Sequence, residues 1–241
     1  MQIHISRSKE NLYESATAWI AAEIKDAVKN NGRCTIALSG GSTPKNIYEL
    51  LAQKPLSETI PWQQVYFFWG DERMVPYDDD QNNAKMAFGS LLDHIDVPAV
   101  NIHRMPSELD PAAAEKQYDE LLHCFFPGTD TFSFDIILLG MGDDGHTLSL
   151  FPGTGVLNEK KKWVTAYYVE KQKQYRITLL PAIVNRCRTA AFIVSGVSKK
   201  EAFEAVISTE KNPERFPAQL IQPSIGELHW FVDAEVAENH P

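Results

Sequence analysis

The sequence has little cysteine and no long hydrophobic run. Its 241 residues contain three cysteines, Cys34, Cys124 and Cys187, and no two of them have the spacing of a metal site or a redox motif. We therefore expect reduced, mostly buried thiols, as in a cytoplasmic protein. The most apolar strand-like run, Ile136–Leu139, is far too short to span a bilayer, and the segment MQIHISRSKE lacks the apolar core of a signal peptide. These absences predict a soluble, cytoplasmic protein with no membrane partner.

Positive charge is also scarce. Lysine and arginine number 23 against 32 aspartates and glutamates, which leaves a formal net charge of -9 at pH 7. Nucleic-acid binders usually carry a basic patch or stripe, so this balance argues against a nucleic-acid partner. The short cationic stretches at 160–162 and 171–173 stand beside Glu159 and Glu170, and we interpret them as solvated loop faces. The sequence does not define the oligomeric state, and a monomer is compatible with it.

Short apolar runs alternate with helical patterns along the chain. The 44% hydrophobic and 23% charged residues suit one soluble domain over residues 1–241. Alternating strands and helices predict an α/β fold, Rossmann-like, with a mainly parallel sheet and helices on both faces. In such sheets, ligands bind beyond the carboxyl ends of the strands. We predict strands at 35–38, 65–69, 136–139, 176–179, 190–195 and 228–232, and the continuous apolar run at 136–139 suits a strand buried on both faces. We predict helices at 12–28, 44–52, 83–92, 111–125, 199–207 and, briefly, from Pro181, with Asp110 as the N-cap of the helix at 111–125.

The first predicted strand ends in a glycine-rich loop, SGGSTPK, that leads into a helix. Gly40 and Gly41 let the backbone approach a ligand closely, and Ser42 or Thr43 can cap the helix. The free amides at the helix start favour an anion such as phosphate. A tight turn with an ordinary cap explains the same residues, so both interpretations stay open. The loop is not a Walker A motif, because it lacks that spacing and the Gly-Lys-Ser/Thr ending.

The second predicted strand is followed by a charged loop that contains Asp71, Glu72 and Arg73. A surface ion-pair cluster is one interpretation of these residues. The cluster nevertheless falls where an α/β sheet binds its ligands. Because its guanidinium stays charged and presents a rigid fork, Arg73 is suited to holding an anionic oxygen. The loop is therefore a candidate ligand site.

The third loop, GMGDDGHT at 140–147, carries the most reactive side chains. It contains Gly-x-Gly-x-x-Gly after a predicted strand, which makes a dinucleotide site one candidate. Asp143 and Asp144 would place negative charge near a pyrophosphate, however, and the Phe-Pro-Gly at 151–153 would cut short the helix that such a site needs. The alternative is a turn that delivers Asp144 and His146 to the sheet edge. Histidine is the commonest general acid or base, and a nearby carboxylate can fix its tautomer, although a structural histidine that caps the turn is a third interpretation.

Two further cationic residues are candidates: Lys199 follows the predicted strand at 190–195, and Arg176 begins the predicted strand at 176–179. Lys199, in SGVSK, lies in the first turn of a predicted helix, where a cation is unfavourable unless an anion is bound nearby. Arg176, in YRIT, is a weaker candidate, because a solvent-facing strand position explains it equally well.

These segments together resemble one known family. The chain contains, in order, SGGSTP, WGDERMVP, NNAKM, FDIILLGMGDDGHTLSLFPG, YRITL and SGVSKKEAF. Their order and approximate spacing are similar to those of the 6-phosphogluconolactonases over nearly the whole chain, and GMGDDGHTLSLFP is the most specific part. The resemblance implies the α/β fold shared with glucosamine-6-phosphate deaminases. It also implies hydrolysis of 6-phosphoglucono-δ-lactone to 6-phosphogluconate in the oxidative pentose phosphate pathway. Asn82 stands where serine is usual in the family, a small departure.

The related deaminases are the main alternative, because they also bind a hexose 6-phosphate and share an Asp-Gly-His loop. Arg73 stands where their Met-Asp-Glu-Tyr segment has tyrosine, which adds an anion clamp. The residues at 150–152 replace their Phe-Asn-Glu-Pro segment, which removes a glutamate partner of the acid–base histidine. Both differences favour the lactonase. A non-catalytic sugar-phosphate-binding module is a second alternative, which the Asp144 and His146 pair disfavours.

The resemblance also implies roles for individual residues. We expect His146 to remove a proton from water, Asp144 to orient the imidazole, and Arg73 to serve either the developing oxyanion or the phosphate. The expected partner is a small phosphorylated sugar lactone, with neither metal nor cofactor, because an ester carbonyl is already electrophilic. The substrate-binding candidates are Gly40, Gly41, Ser42, Thr43, Asp71, Arg176 and Lys199.

Overall fold

A computed structural model describes residues 1–128 and 132–238 of the chain. Strands and helices alternate along most of these ranges, as the hydrophobic pattern predicted. The strands are β1 (Gln2–Ser6), β2 (Cys34–Leu38), β3 (Val65–Trp69), β4 (Asp71–Arg73), β5 (Ile102–His103), β6 (Ile136–Leu139), β7 (Val164–Val169), β8 (Gln174–Leu179), β9 (Thr189–Val194) and β10 (Glu227–Asp233). The helices are α1 (Lys9–Asn31), α2 (Ser42–Leu51), α3 (Leu56–Thr59), α4 (Asn83–Ser90), α5 (Pro111–Phe125), α6 (Pro181–Val184) and α7 (Lys200–Ile207).

A parallel sheet of seven strands forms the centre of the molecule, in the order β1-β10-β9-β6-β2-β3-β5. Each neighbouring pair in this sheet is parallel. Every residue of β2, β6 and β9 is buried, and successive side chains of a strand point to opposite faces, so both faces are covered there. The predicted α/β fold with a mainly parallel sheet is confirmed.

A second sheet, which the sequence did not predict, is antiparallel and has the order β4-β8-β7. The segment Asp71–Arg73 was predicted as a loop, but it forms strand β4 and pairs with β8. We also missed β1, β5 and β7. These strands are short or only partly buried, so their apolar pattern is weak. The partners of β1 and β5 are β10 and β3, far away in sequence, whereas β7 pairs with β8 in a hairpin.

Helix starts show where local prediction succeeded and where it failed. As predicted, the side chain of Asp110 caps α5 by accepting the amides of Ala112 and Ala113 at 3.2 and 3.1 Å. The prediction that Ser42 or Thr43 caps α2 was wrong, because Gly41 occupies the N-cap position and α2 has no side-chain cap. Gly41 has φ 106°, a conformation that glycine adopts without strain.

Tyr48 of α2 anchors the carboxyl end of β2. Its hydroxyl accepts a hydrogen bond from the amide of Ser39 and donates one to the carbonyl of the same residue, both at 2.9 Å. The tyrosine side chain is fully buried. The chain therefore leaves the sheet in one defined direction, which positions the glycine-rich loop that follows.

One cluster of buried apolar residues includes members of both sheets, such as Ile36 and Phe68 in the parallel sheet and Val164 and Ile177 in the antiparallel one. The small sheet therefore packs on the same core as the large one. None of the helices in the described ranges combines the length and apolar character that a membrane crossing requires.

Replacing Tyr48 by phenylalanine would leave the amide and the carbonyl of Ser39 buried without a partner. We expect Tyr48→Phe to lower the free energy of unfolding by about 1–3 kcal/mol, because an unsatisfied buried polar group carries its desolvation penalty. Urea denaturation followed by circular dichroism measures the loss. The control is Tyr168→Phe, at a position 41% exposed, which should change that free energy by less than ~0.5 kcal/mol. A similarly small change in Tyr48→Phe would contradict the anchoring role.

Candidate active site

A cavity of about 320 Å³ lies beyond the carboxyl ends of the central strands. Residues that follow β2 and β6 line it together with residues of the antiparallel sheet. Its lining includes six of the residues singled out in the sequence: Gly40, Asp71, Arg73, His146, Arg176 and Lys199. Segments far apart in sequence therefore meet at one place, as the predicted topology requires.

His146 and Asp144 form a hydrogen-bonded pair at this cavity. Oδ1 of Asp144 lies 2.6 Å from Nδ1 of His146 and also accepts the backbone amide of His146 at 3.2 Å. The imidazole stacks on Phe151, with 4.4 Å between ring centroids. Partial burial disfavours the charged form of Asp144, but hydrogen bonds from Lys171 and His146 outweigh it and lower the pKa of Asp144 to about 2. Asp144 is thus an anion at neutral pH.

The glycines of the third loop make room for this pair. The amide of Gly142 donates to the carbonyl of His146 at 2.8 Å, so the chain reverses direction between them. A Cβ atom on Gly142 would overlap the imidazole of His146. Gly145 has φ 75° and its backbone lies against Phe216, so a side chain is excluded there as well. The loop shapes a turn, and no α-helix follows it before α6 in the described chain, which removes the main support for a dinucleotide site.

Arg73 and Arg176 lie directly opposite each other in the pairing of β4 with β8. Arg176 is buried, so the solvent-facing alternative was wrong. Burial lowers the pKa of Arg176 and Arg73 lowers it further, while Asp71 opposes both effects. Within the described residues, Nε of each arginine is buried without a hydrogen-bond partner. Like charges at opposite positions repel, so this pair is arranged to receive an anion.

Lys199 completes the positive lining of the cavity. It belongs to a single 3-10 turn, Val197–Lys199, and is the N-cap residue of α7. The helix therefore begins one residue later than predicted, at Lys200. Lys199 still lies at the amino-terminal end of a helix, where a positive charge is unfavourable. Among the described lining residues, three cationic side chains face one carboxylate, Asp71, although the whole chain is acidic.

The structure does not bring Gly41, Ser42 and Thr43 into the lining of this cavity. Gly41 and Ser42 instead line an adjoining groove of about 510 Å³, which shares Arg73 with the cavity. The hydroxyl of Thr43 lies 3.1 Å from that of Ser195. Only Gly40 of the four loop residues lines the cavity, because α2 begins at once and turns the rest of the loop away.

Asn83 is a lining residue that the sequence analysis did not select. Its Nδ2 donates to the carbonyl of Asp71 at 3.0 Å, and its side chain fills the space where a Cβ on Gly40 would lie. Asn83 belongs to the family-like segment NNAKM, which could have indicated it, but we predicted no function for that segment. Glu72 supports this arrangement, since its buried carboxylate accepts the amides of Asn83 and Ala84, and burial raises the pKa of Glu72 to about 7. Ser39, Phe151 and Gln172 also line the cavity and were missed.

The cationic stretches that we interpreted as solvated faces have specific partners. Lys171 is exposed, but its Nζ lies 2.8 Å from Oδ2 of Asp144. Lys162 similarly lies 2.6 Å from Glu115. Among residues 1–128 and 132–238, no group of three or more histidine, cysteine, aspartate or glutamate side chains is placed to hold a metal ion.

Comparison with known proteins identifies the family. A family model described as glucosamine-6-phosphate isomerases/6-phosphogluconolactonase matches residues 7–230. The chain belongs to this family. A relative from Synechocystis sp., named 6-phosphogluconolactonase, is 40% identical over 241 residues, which cover 99% of this chain and 98% of the relative.

Solved structures of the family have the same fold as this member. The 6-phosphogluconolactonase from Trypanosoma brucei has a TM-score of 0.87 and 28% identity, and the match covers 100% of this chain and 98% of that one. A monomeric glucosamine-6-phosphate deaminase has a TM-score of 0.84 over 99% of both chains, but at 21% identity this likeness shows the fold alone. The expected fold relationship between the two groups of enzymes is confirmed.

Adding a side chain at Gly142 should separate the histidine from its carboxylate. We expect Gly142→Ala to break the hydrogen bond between Nδ1 of His146 and Asp144, because the new Cβ would overlap the imidazole. Nitrogen-15 NMR of the imidazole, which distinguishes the two tautomers, measures the change. Gly89→Ala is the control, since a Cβ at that position on α4 meets nothing within 4 Å. An unaltered imidazole spectrum in Gly142→Ala would refute this account of the loop.

Proposed function

We propose that this family member hydrolyses 6-phosphoglucono-δ-lactone to 6-phosphogluconate, a step of the oxidative pentose phosphate pathway. The proposal is supported by its relatives, since those from Synechocystis and Trypanosoma brucei carry the name 6-phosphogluconolactonase. The structural observation that carries it is the Asp144–His146 pair beside three cations in one cavity. That combination offers a general base and a binding site for a phosphorylated, electrophilic substrate.

The tautomer of His146 follows from the charge of its partner. An ionised carboxylate can only accept hydrogen bonds, so Nδ1 of His146 carries the proton that is shared with Asp144. Nε2 of the neutral ring then keeps its lone pair. This nitrogen can take a proton from a water molecule in the cavity, and Asp144 stabilises the imidazolium that forms.

The hydrolysis then proceeds in two steps. The oxygen of the deprotonated water forms a bond to the lactone carbonyl carbon, and the electron pair of the carbonyl double bond moves to the carbonyl oxygen. When the tetrahedral intermediate collapses, the bond between that carbon and the ring oxygen breaks. The imidazolium of His146 returns its proton to the ring oxygen, which becomes the free hydroxyl of the acid product.

The three cationic side chains that line the cavity can stabilise two negatively charged groups, the substrate phosphate and the developing oxyanion. Among the described residues that line the cavity, Arg73, Arg176 and Lys199 outnumber the one carboxylate, Asp71. Asp71 is held by the hydroxyl of Ser149 at 2.7 Å, which keeps it in place beside the arginines. One donor aimed at a developing oxyanion typically lowers the barrier by ~3 kcal/mol, so a cation there contributes substantially.

A glucosamine-6-phosphate deaminase is the second candidate, and the surroundings of His146 disfavour it. The deaminases have a glutamate shortly after the histidine, where this chain has Phe151. Phe151 stacks on the imidazole with an interplanar angle of 29°, so an apolar ring occupies one face of the histidine.

We also propose that the protein is a single domain, cytoplasmic and active as a monomer. The common core of the two sheets supports one domain over residues 1–241. The three cysteines are free thiols, which supports a cytoplasmic location. The proposed substrate binds to residues of a single chain, which supports an active monomer.

An assay of freshly prepared lactone tests the proposed function. We expect acid release above the spontaneous rate when the protein is present, and no ammonia from glucosamine 6-phosphate. Ammonia release would establish the deaminase instead. Binding of 6-phosphogluconate without any acid release would indicate a non-catalytic sugar-phosphate-binding module.

His146→Asn should reduce kcat for lactone hydrolysis by about 10²- to 10⁴-fold, because the general base is lost. Thermal unfolding of the variant shows whether the fold is intact. The matched control is His123→Asn, which changes an exposed histidine that stacks on Trp163 away from the cavity. Full activity of His146→Asn would exclude the proposed mechanism.

Lys199→Ala should raise KM for the lactone by about tenfold or more with a smaller effect on kcat, because a charge-assisted contact to the phosphate is lost. Lys200→Ala is the matched control, since the neighbouring lysine pairs with Glu238 and does not line the cavity. Steady-state kinetics of both variants measures the difference. An unchanged KM in Lys199→Ala would argue against its role in phosphate binding.

A further inference from the structure

We propose that Lys171 is a positioning residue that holds Asp144 in place and keeps His146 in its neutral, proton-accepting form. This inference rests on the proposed function, in which neutral His146 is the general base. It adds to the Asp144–His146 pair a third member, which comes from a different part of the chain.

The geometry divides the two oxygens of Asp144 between two partners. Oδ1 lies 2.6 Å from Nδ1 of His146, and Oδ2 lies 2.8 Å from Nζ of Lys171. A carboxylate that is held at both oxygens has less freedom to rotate than one held at a single oxygen. The lysine therefore restricts the carboxylate that orients the imidazole.

The position of Lys171 is set by the hairpin that joins β7 to β8. The tip of this hairpin is a single 3-10 turn, Glu170–Gln172, followed by Lys173 in the left-handed conformation with φ 48°. Gln172 at the tip lines the cavity, and Arg176 on β8 lines it as well. One hairpin thus supplies a buried cation to the cavity and a second cation to the outer side of Asp144.

The charge of Lys171 opposes the effect of Asp144 on the histidine. A carboxylate beside an imidazole favours the imidazolium, which cannot accept another proton. A cation on the outer oxygen offsets part of that field and favours the neutral ring. The hydrogen bond that Lys171 donates to Asp144 raises the pKa of Lys171, so this lysine remains charged throughout the neutral range.

Other charged groups also face this pair and act in both directions. Arg73, Arg176 and Lys199 line the same cavity as His146 and favour its neutral form, whereas Asp71 in the lining opposes them. Asp143 acts on Lys171 from the same loop as Asp144. All of these groups remain in a Lys171 variant, so the variant isolates the contribution of one charge.

An ion pair of no functional consequence is the competing explanation. The side chain of Lys171 is 66% exposed, and exposed ion pairs contribute little to stability. Stability measurements therefore cannot decide the question. The titration of His146 can, because an inert surface pair would leave it unchanged.

The decisive experiment compares Lys171→Met with the wild-type protein by NMR titration of the His146 imidazole. Removing the cation should move the midpoint upward by ~0.5 pH unit, as expected for a partly screened charge close to the ring. Lys171→Arg should restore the wild-type midpoint. Lys116→Met, which removes an exposed lysine on α5 that pairs with Glu120, should leave it unchanged.

The pH dependence of kcat/KM provides a second measurement. The acidic limb of the Lys171→Met profile should move upward by the same amount as the NMR midpoint. Below the midpoint, activity would then fall about threefold through the smaller fraction of neutral histidine. Above the midpoint this effect disappears, and any remaining loss measures how far the freed carboxylate misorients the imidazole. Spontaneous lactone opening is subtracted at each pH.

The outcomes separate this inference from the proposed function. An unchanged His146 midpoint together with unchanged activity in Lys171→Met overturns the role of Lys171. An equal loss of activity at every pH without a shift overturns the electrostatic part of that role and supports only the orientation of Asp144. A shifted midpoint in a protein whose wild type does not hydrolyse the lactone overturns the proposed function. That same shift still supports the electrostatic role of Lys171.

Discussion

The cavity is positively charged mainly because two arginines occupy paired positions on two short antiparallel strands. β4 and β8 place Arg73 opposite Arg176, and Arg176 is buried. Like charges in this arrangement repel, and burial removes the water that would screen them. The surrounding core holds the strands in register despite this repulsion. An anion in the cavity relieves it, which is why a phosphorylated substrate suits the site.

The histidine that lines the same cavity is positioned by a different kind of contact. Asp144, Gly142 and His146 are neighbours in sequence, and their hydrogen bonds close a small turn. Local bonds of this kind orient the imidazole, but they do not decide what it faces. Phe151, five residues further along the chain, gives the ring its apolar face. Lys171, beyond the carboxylate, comes from the hairpin between β7 and β8 and contributes to the electrostatic environment of the ring.

Much of the fold could be predicted because its signals are local. The apolar run of β6 marked a strand buried on both faces, and Asp110 before Pro111 marked the start of α5. Strand β4 could not be recognised, because it consists of three charged residues and exists only through its pairing with β8. Strand β7 is only partly buried and shows no clear alternation, so β8 was the one strand of the antiparallel sheet that the sequence indicated.

By itself the sequence determined that Asp144 and His146 would be close together, because only Gly145 separates them within a glycine-rich turn. It also indicated the parallel sheet, and hence the edge at which ligands bind. Only the tertiary structure decided that Arg176 faces the cavity, that Ser42 and Thr43 turn away from it, and that Lys171 reaches Asp144. These relations depend on how elements distant in the chain pack against each other. Periodicity and spacing describe one element at a time, so they cannot specify such distances.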